Sequence, residues 1–348
     1  MGLLKKAATF TVFEVRGSLP SLAEIKSKIE TSPTPQIEGT SAPEAYSFCN
    51  VEEVFEKKVI QGEAVLGFGL RHDKKTISKP LFKKKYKEAL KKARGEAKQA
   101  KRKITKEDKE LIKANIEGEL YSEVKPIEKH FEVLWDTRNG RIFVGSGTPK
   151  VLAGFINVMV KLFEDLTIVQ WYPLSKDTKH VDAKGSRENF QNAFMTWVFY
   201  ETKQKKETFW CPLSVKFLGG DTAVTVRGDA EASLEPFLSI VSSRLVDQMD
   251  LGYSLDKENG DKMKYEVTIK RGDWAFRGLK VAPEINHENI ESAVFERSAA
   301  LGEYVEHFQK LVREYEEIRN DEVKDKTMWT TMTNFASERI RKELGVST

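Results

Sequence analysis

Residues 79–109 read KPLFKKKYKEALKKARGEAKQAKRKITKEDK and hold fourteen Lys and Arg against four Asp and Glu. Burying so many ammonium groups without partners is prohibitively costly, so this segment has to lie at the surface. It is also rich in Ala, Leu, Glu, Gln and Lys, which predicts a rigid helix rather than a floppy tail. Pro80 suits the first turn of that helix, and Gly95 is expected to weaken or bend it. Thr105 followed by Asp108 predicts the cap of a second helix running to about Val124. Two consecutive helices with little apolar surface predict a hairpin projecting from the body. A helix of about 24 residues would be about 36 Å long.

The segment carries a charge of +10 in a chain whose total is +4, so the remainder sums to −6. Concentrating positive charge in this way points to a polyanion-binding surface. Lys83, Lys87 and Lys91 follow one another at i,i+4, as do Arg94, Lys98 and Arg102. Like charges at that spacing destabilise a helix unless an anion compensates. Glu88 is expected to offset Lys84 and Lys92. With Lys101, Lys103 and Lys106, these bases form the candidate phosphate-contacting set. Only Phe82 and Tyr86 interleave with them, so a stacking platform for single strands is poorly supported. Contact with a phosphate backbone, without base readout, fits better.

The flanking pattern predicts an α+β body. ATFTVFEV (8–15) reads as a buried strand, and Ser21-Leu-Ala-Glu24 opens a helix to about Thr31. Strands are expected near 46–51 and 63–71. HFEVLWDT and GRIFVGS alternate around Asn139-Gly140, a strong hairpin signal. Thr148-Pro149 caps a helix with one apolar stripe, Val151, Leu152, Phe155, Val158, Met159 and Phe163. A strand near 167–172 follows. After a polar stretch come an aromatic-rich helix (190–200), strands at 213–218 and 221–227, and a helix over 232–242. Strands at 244–256, 262–270 and 273–281 precede two helices, 288–319 and 322–344. These boundaries divide the chain into a first α/β domain (1–76 and 126–174), an inserted basic hairpin (77–125), a second α/β domain (175–285) and C-terminal helices (286–348). The stretch 284–343 has fourteen acids against nine bases. Its net charge suggests a segment that competes with an anionic ligand for the basic hairpin.

Catalytic signals are weak. Gly145-Ser-Gly147-Thr-Pro-Lys150 lacks phosphate-loop spacing, and a hairpin end followed by a helix cap explains it. Asp165, Asp177, His180, Asp182 and Glu188 would serve a metal-dependent nuclease only if folding gathered them; a solvated linker is the simpler reading. The two Arg-Gly-Asp triplets, 227–229 and 271–273, read as turns. Phe190, Phe194, Trp197, Phe199 and Tyr200 read as core, with a subunit interface at Trp197 as the alternative. Two cysteines, Cys49 and Cys211, and five scattered histidines build no metal set. No catalytic residue, metal or cofactor is expected. The N-terminus lacks a signal-length apolar core, and a cytoplasmic location is expected.

The order of these features resembles the RdgC family, the recombination-associated DNA-binding proteins of bacteria. The match is carried by Lys101-Arg-Lys-Ile-Thr-Lys-Glu-Asp-Lys-Glu-Leu-Ile-Lys113 leading into Phe131-Glu-Val-Leu-Trp-Asp-Thr-Arg-Asn-Gly-Arg-Ile-Phe-Val144. Thr196-Trp197, the segment Gly219 to Asp229, and the late strand Trp274 to Val281 add to it. The resemblance spans most of residues 1–285 and is spread over many short matches. It implies a protruding helical tip, and a head-to-head homodimer closing into a ring with a basic hole. Double-stranded DNA would pass through that hole with little sequence preference, limiting the access of a strand-exchange recombinase. It further implies a nucleoid-associated location, tip contacts between subunits at Leu120, Tyr121 and Val124, and a DNA contact at Arg227. Where the family has Pro-Arg-x-aromatic, this chain has Tyr121-Ser-Glu-Val124, which replaces a base with an acid. The expectation is a non-enzymatic duplex-binding protein. The alternatives are the nuclease and an RNA- or ribosome-associated module, since a basic helical hairpin also suits A-form phosphates.

Overall fold

The computed structural model describes residues 3–5, 7–50, 59–61, 64–173, 184–204, 209–211, 214–219, 222–228, 233–256, 262–280 and 290–345. Its elements begin with β1 (Ala7–Arg16), α1 (Leu22–Thr31), β2 (Glu44–Cys49), β3 (Val59–Gln61) and β4 (Val65–Lys74). The helices α2 (Lys79–Gln99) and α3 (Lys106–Glu123) are followed by β5 (Ile127–Asp136), β6 (Arg141–Val144), α4 (Pro149–Leu162) and β7 (Thr167–Gln170). The second half contains α5 (Lys184–Gln204), β8 (Phe209–Trp210), β9 (Ser214–Gly219), β10 (Thr222–Arg227) and α6 (Glu235–Val241). It closes with β11 (Leu245–Asp256), β12 (Lys262–Lys270), β13 (Phe276–Lys280), α7 (Ile290–Asn320) and α8 (Glu322–Glu343).

The strands form one mixed-length antiparallel sheet in the order β10-β9-β11-β12-β13-β1-β6-β5-β4-β2, with β3, β7 and β8 pairing alongside. The first strand joins its two halves. Ala7, Ala8 and Phe10 pair with Lys280, Leu279 and Phe276 of β13. Thr11 to Glu14 pair with Val144 to Arg141 of β6, and Phe13 to Arg16 pair with Gln170 to Thr167 of β7. The run of β-branched and aromatic residues in β1 suits a strand buried through its middle.

The hairpin expected at Asn139-Gly140 forms, with a four-residue loop, 137–140. Asp136 pairs with Arg141, and Gly140 takes a positive φ of 61°. The Asp136 carboxylate organises the loop by accepting from the Arg138 and Asn139 amides and from Asn139 Nδ2. This local hydrogen bonding is typical of Asp in turns.

Helices α1 and α4 close one core around Phe13, Phe68, Trp135, Phe155 and Phe163. The expected α4 stripe is buried at Val151, Leu152, Phe155 and Met159. A larger core runs through both halves. It joins Leu134 and Phe143 to Phe217, Met249, Tyr265 and the aromatic residues of α5. Thus the boundary expected at 174/175 separates two halves of one sheet that share a core. Trp197 is buried and stacks on Tyr315 with centroids 5.3 Å apart, which places it in the core rather than at a subunit surface.

The C-terminal helices are part of this body, not an appended acidic segment. Ala293, Val294, Leu301, Tyr304, Val305, Phe308, Val312 and Tyr315 of α7 are fully buried. At one end α7 lies so close to β4 that a Cβ on Gly67 would sit 3.0 Å from Val294 Cγ2. At the other, Tyr315 meets Phe190, Phe194 and Trp197. Apart from the buried Glu316, the acids of α7 are exposed or half-buried on the side away from its apolar face. No described helix is long and apolar enough to cross a membrane.

Candidate nucleic-acid interface

Helices α2 and α3 are inserted between β4 and β5 and pair antiparallel with each other. At about 1.5 Å per residue they are about 31 and 27 Å long. Their seam is narrow. Ala97, Ile116 and Leu120 are buried, while Phe82 stacks on Tyr86 at 5.7 Å. Helix α2 runs through Gly95 without interruption, and nothing lies within 4 Å of where its Cβ would be.

The turn between the helices is closed by backbone and side chain together. Arg102 N donates to Ala97 O and Lys101 N to Lys98 O. This pair of bonds ends a helix when the residue after the cap is left-handed. That residue is Lys101, at φ 51°, where glycine is the usual occupant. Thr105 Oγ1 then accepts from Asp108 N, and Asp108 Oδ2 accepts from Thr105 N, completing the expected capping box. Asp108 Oδ2 also lies 2.6 Å from Arg102 Nη1. The Arg102 bond, followed by the Thr105 amide, holds the Asp108 carboxyl below its ordinary range.

The bases divide by whether a carboxylate neutralises them. Lys85 reaches across the seam to Glu119 at 2.9 Å and Glu123 at 3.3 Å. Glu119 foremost raises its affinity for its proton. Glu123 therefore acts within the helix pair. On α3, Lys106 pairs with Glu110 and Lys113 with Glu117 along the helix. Lys83, Lys84, Lys87, Lys91, Lys92, Arg94, Lys98, Lys101 and Lys103 are all exposed. Among the described residues, none of these nine has a carboxylate within 4 Å; the expected offset by Glu88 is not formed. Positive charge without compensation is thus concentrated on α2 and the turn.

The other expected contacts lie elsewhere. Arg227 is exposed at the end of β10, an edge strand. It is eight strand-to-strand steps from β4, where α2 begins. Measured along the sheet, that is about 40 Å at about 4.8 Å per step. Leu120, expected at a subunit contact, is only 1% exposed and packs within its own chain. Tyr121 and Val124 are partly exposed at the same end of α3.

The nuclease residues do not assemble in what is described. Asp177, His180 and Asp182, and the side chain of Glu188, lie outside the described residues. Asp165 is exposed in the turn before β7. No group of three or more His, Cys, Asp or Glu among the described residues is placed to hold a metal ion. Lys150, the basic end of the glycine-rich stretch, is held by Glu44 at 2.9 Å. Cys49 and Cys211 form no disulfide; their thiols donate to Asn50 O and Ser214 O.

The chain matches no protein-family model and no curated protein.

Proposed function

We propose that this protein binds double-stranded DNA without sequence preference, through the phosphate backbone. The observation that carries the reading is the run of exposed, uncompensated bases on α2 and its turn, from Lys83 to Lys103. Lysine contacts to phosphate position a duplex but carry no base information. Released counterions supply the energy, so affinity falls steeply with salt. The resemblance to the RdgC family supports a protruding tip and a ring-closing homodimer. In that arrangement, two chains contribute Arg227 and the helix pair around one duplex. Occupied DNA would then be shielded from a strand-exchange recombinase.

The test measures binding to equal-length linear and covalently closed circular duplexes across a salt series, with particle mass in parallel. Salt-sensitive binding by a dimer, with retention on circles but loss from open ends at high salt, is the expected result. Absence of duplex binding at physiological salt overturns the reading, and preference for an RNA duplex of equal length redirects it.

A further inference from the structure

We propose that the cleft at the root of the α2–α3 pair is a binding site for a phosphate monoester. The cleft has a volume of about 390 Å³, inside the range of roughly 300–1,000 Å³ found for small-ligand sites. Lys74, Lys75, Lys79 and Lys83 line it together with Phe82 and Tyr121, and Glu117 is the single acid of the lining. Glu117 sits 3.7 Å from Lys113 on its own helix, so part of its charge is already answered.

Lys75 is the residue that makes this a built site. It is 2% exposed, and its Nζ donates at 2.7 Å to the carbonyls of Thr40 and Tyr121. Both acceptors are neutral. An ammonium carries three N–H donors, so one is left for a further partner. Burying a cation against neutral acceptors is unfavourable unless an anion completes its surroundings. Lys75 is also fixed through its backbone, whose amide donates to Pro43 O at 2.9 Å. The charge is therefore held in place in advance, as a site for a small anion requires.

The lining favours a terminal phosphate over a backbone diester. A monoester approaches two negative charges near neutral pH, whereas a diester has one, and four lysines converge here on one small volume. Phe82 and Tyr121 add an apolar wall against which a base or sugar can lie. The ligand is thus a phosphate monoester carried either by a free mononucleotide or by the phosphorylated end of a strand. This goes beyond duplex binding on the outer face of α2; Lys83 is common to the two surfaces, and the variants below leave it in place.

The experiment is calorimetric titration of the full chain with adenosine monophosphate, using adenosine as the phosphate-free control. Binding of the monophosphate and none of adenosine is expected. Lys74→Ala/Lys79→Ala should weaken that binding by at least about tenfold, whereas Lys98→Ala/Lys101→Ala, at the far turn, should not change it. Lys75→Met should abolish it, with thermal melting as the check on folding; the exposed double variant carries the test if Lys75→Met is unstable. Competition by a 5′-phosphorylated DNA hairpin, compared with its 5′-hydroxyl form, assigns the source. Displacement by the phosphorylated form only identifies the strand end, and no displacement by either identifies the free nucleotide. Undetectable binding of the monophosphate, or equal binding by Lys74→Ala/Lys79→Ala, overturns the proposal. Duplex affinity measured on the same samples reports separately on the outer face.

Discussion

Lys85 Nζ lies 2.9 Å from Glu119 Oε1, across the seam between α2 and α3. The bond gives this lysine a different task from Lys84 and Lys87, which stand exposed beside it. Lys87→Gln should lower the slope of log affinity against log salt by about 0.9, the effect of one lost phosphate contact. Lys85→Gln should leave that slope unchanged. Fluorescence anisotropy with a labelled duplex across a potassium chloride series checks both, and equal slopes in the two variants would remove the distinction.

Two substitutions should strengthen the helix pair by different routes. Gly95 lies in open space inside α2, so Gly95→Ala should stabilise the helix by about 1 kcal/mol. Lys101 is left-handed at φ 51°, and Lys101→Gly should relieve up to about 1 kcal/mol of backbone strain. Amide hydrogen exchange along α2 should slow in both. Duplex affinity should fall only in Lys101→Gly, which also removes a charge.

Acid should loosen the turn from the α3 side. The carboxyl of Asp108 is held below its ordinary value of 3.8 by Arg102 and the Thr105 amide. A lowered folded-state value means that the contribution is complete above the unfolded value. It is lost as pH falls through the lower, folded one. The start of α3 should therefore keep its exchange protection at neutral pH and lose it progressively below about pH 4. Asp108→Asn should remove that dependence, and an unchanged acid response in the variant would show that another group is responsible.

Removing residues 286–348 is not a test of competition between acidic helices and DNA, because α7 is part of the core. Leu301→Ala alone should destabilise the fold by about 2–5 kcal/mol. The truncated chain should lose its near-ultraviolet circular dichroism. A folded truncation with sharp thermal melting would contradict the packing of Val294, Phe308 and Tyr315.

Local signals account for what was legible. The strand at 7–16, the capping box at Thr105 and Asp108, the hairpin near Asn139 and the stripe on α4 each depend on residues close in sequence. The strands missed, Val59–Gln61 and Phe209–Trp210, are three and two residues long, too short to show alternation. The Lys85 bridge was invisible because it depends on the register of two helices 34 residues apart in sequence. The expectation at Arg227 rests on the resemblance, and no local signal in the sequence places that residue relative to the helix pair. For α7, net charge averaged over the helix concealed its buried face.

The pairing of β1 with β13 has a consequence for synthesis. Ala7 pairs with Lys280, and Gly278 N donates to Thr9 Oγ1 across 269 residues. A ribosome delivers β1 long before its partner exists. The helix pair is made of neighbouring contacts and can form early, while the centre of the sheet waits for almost the whole chain. Long-range closure of this kind is slow. Until β13 emerges, the Ala7–Phe10 end of β1 presents an unpaired edge, the part of the nascent chain most exposed to mispairing.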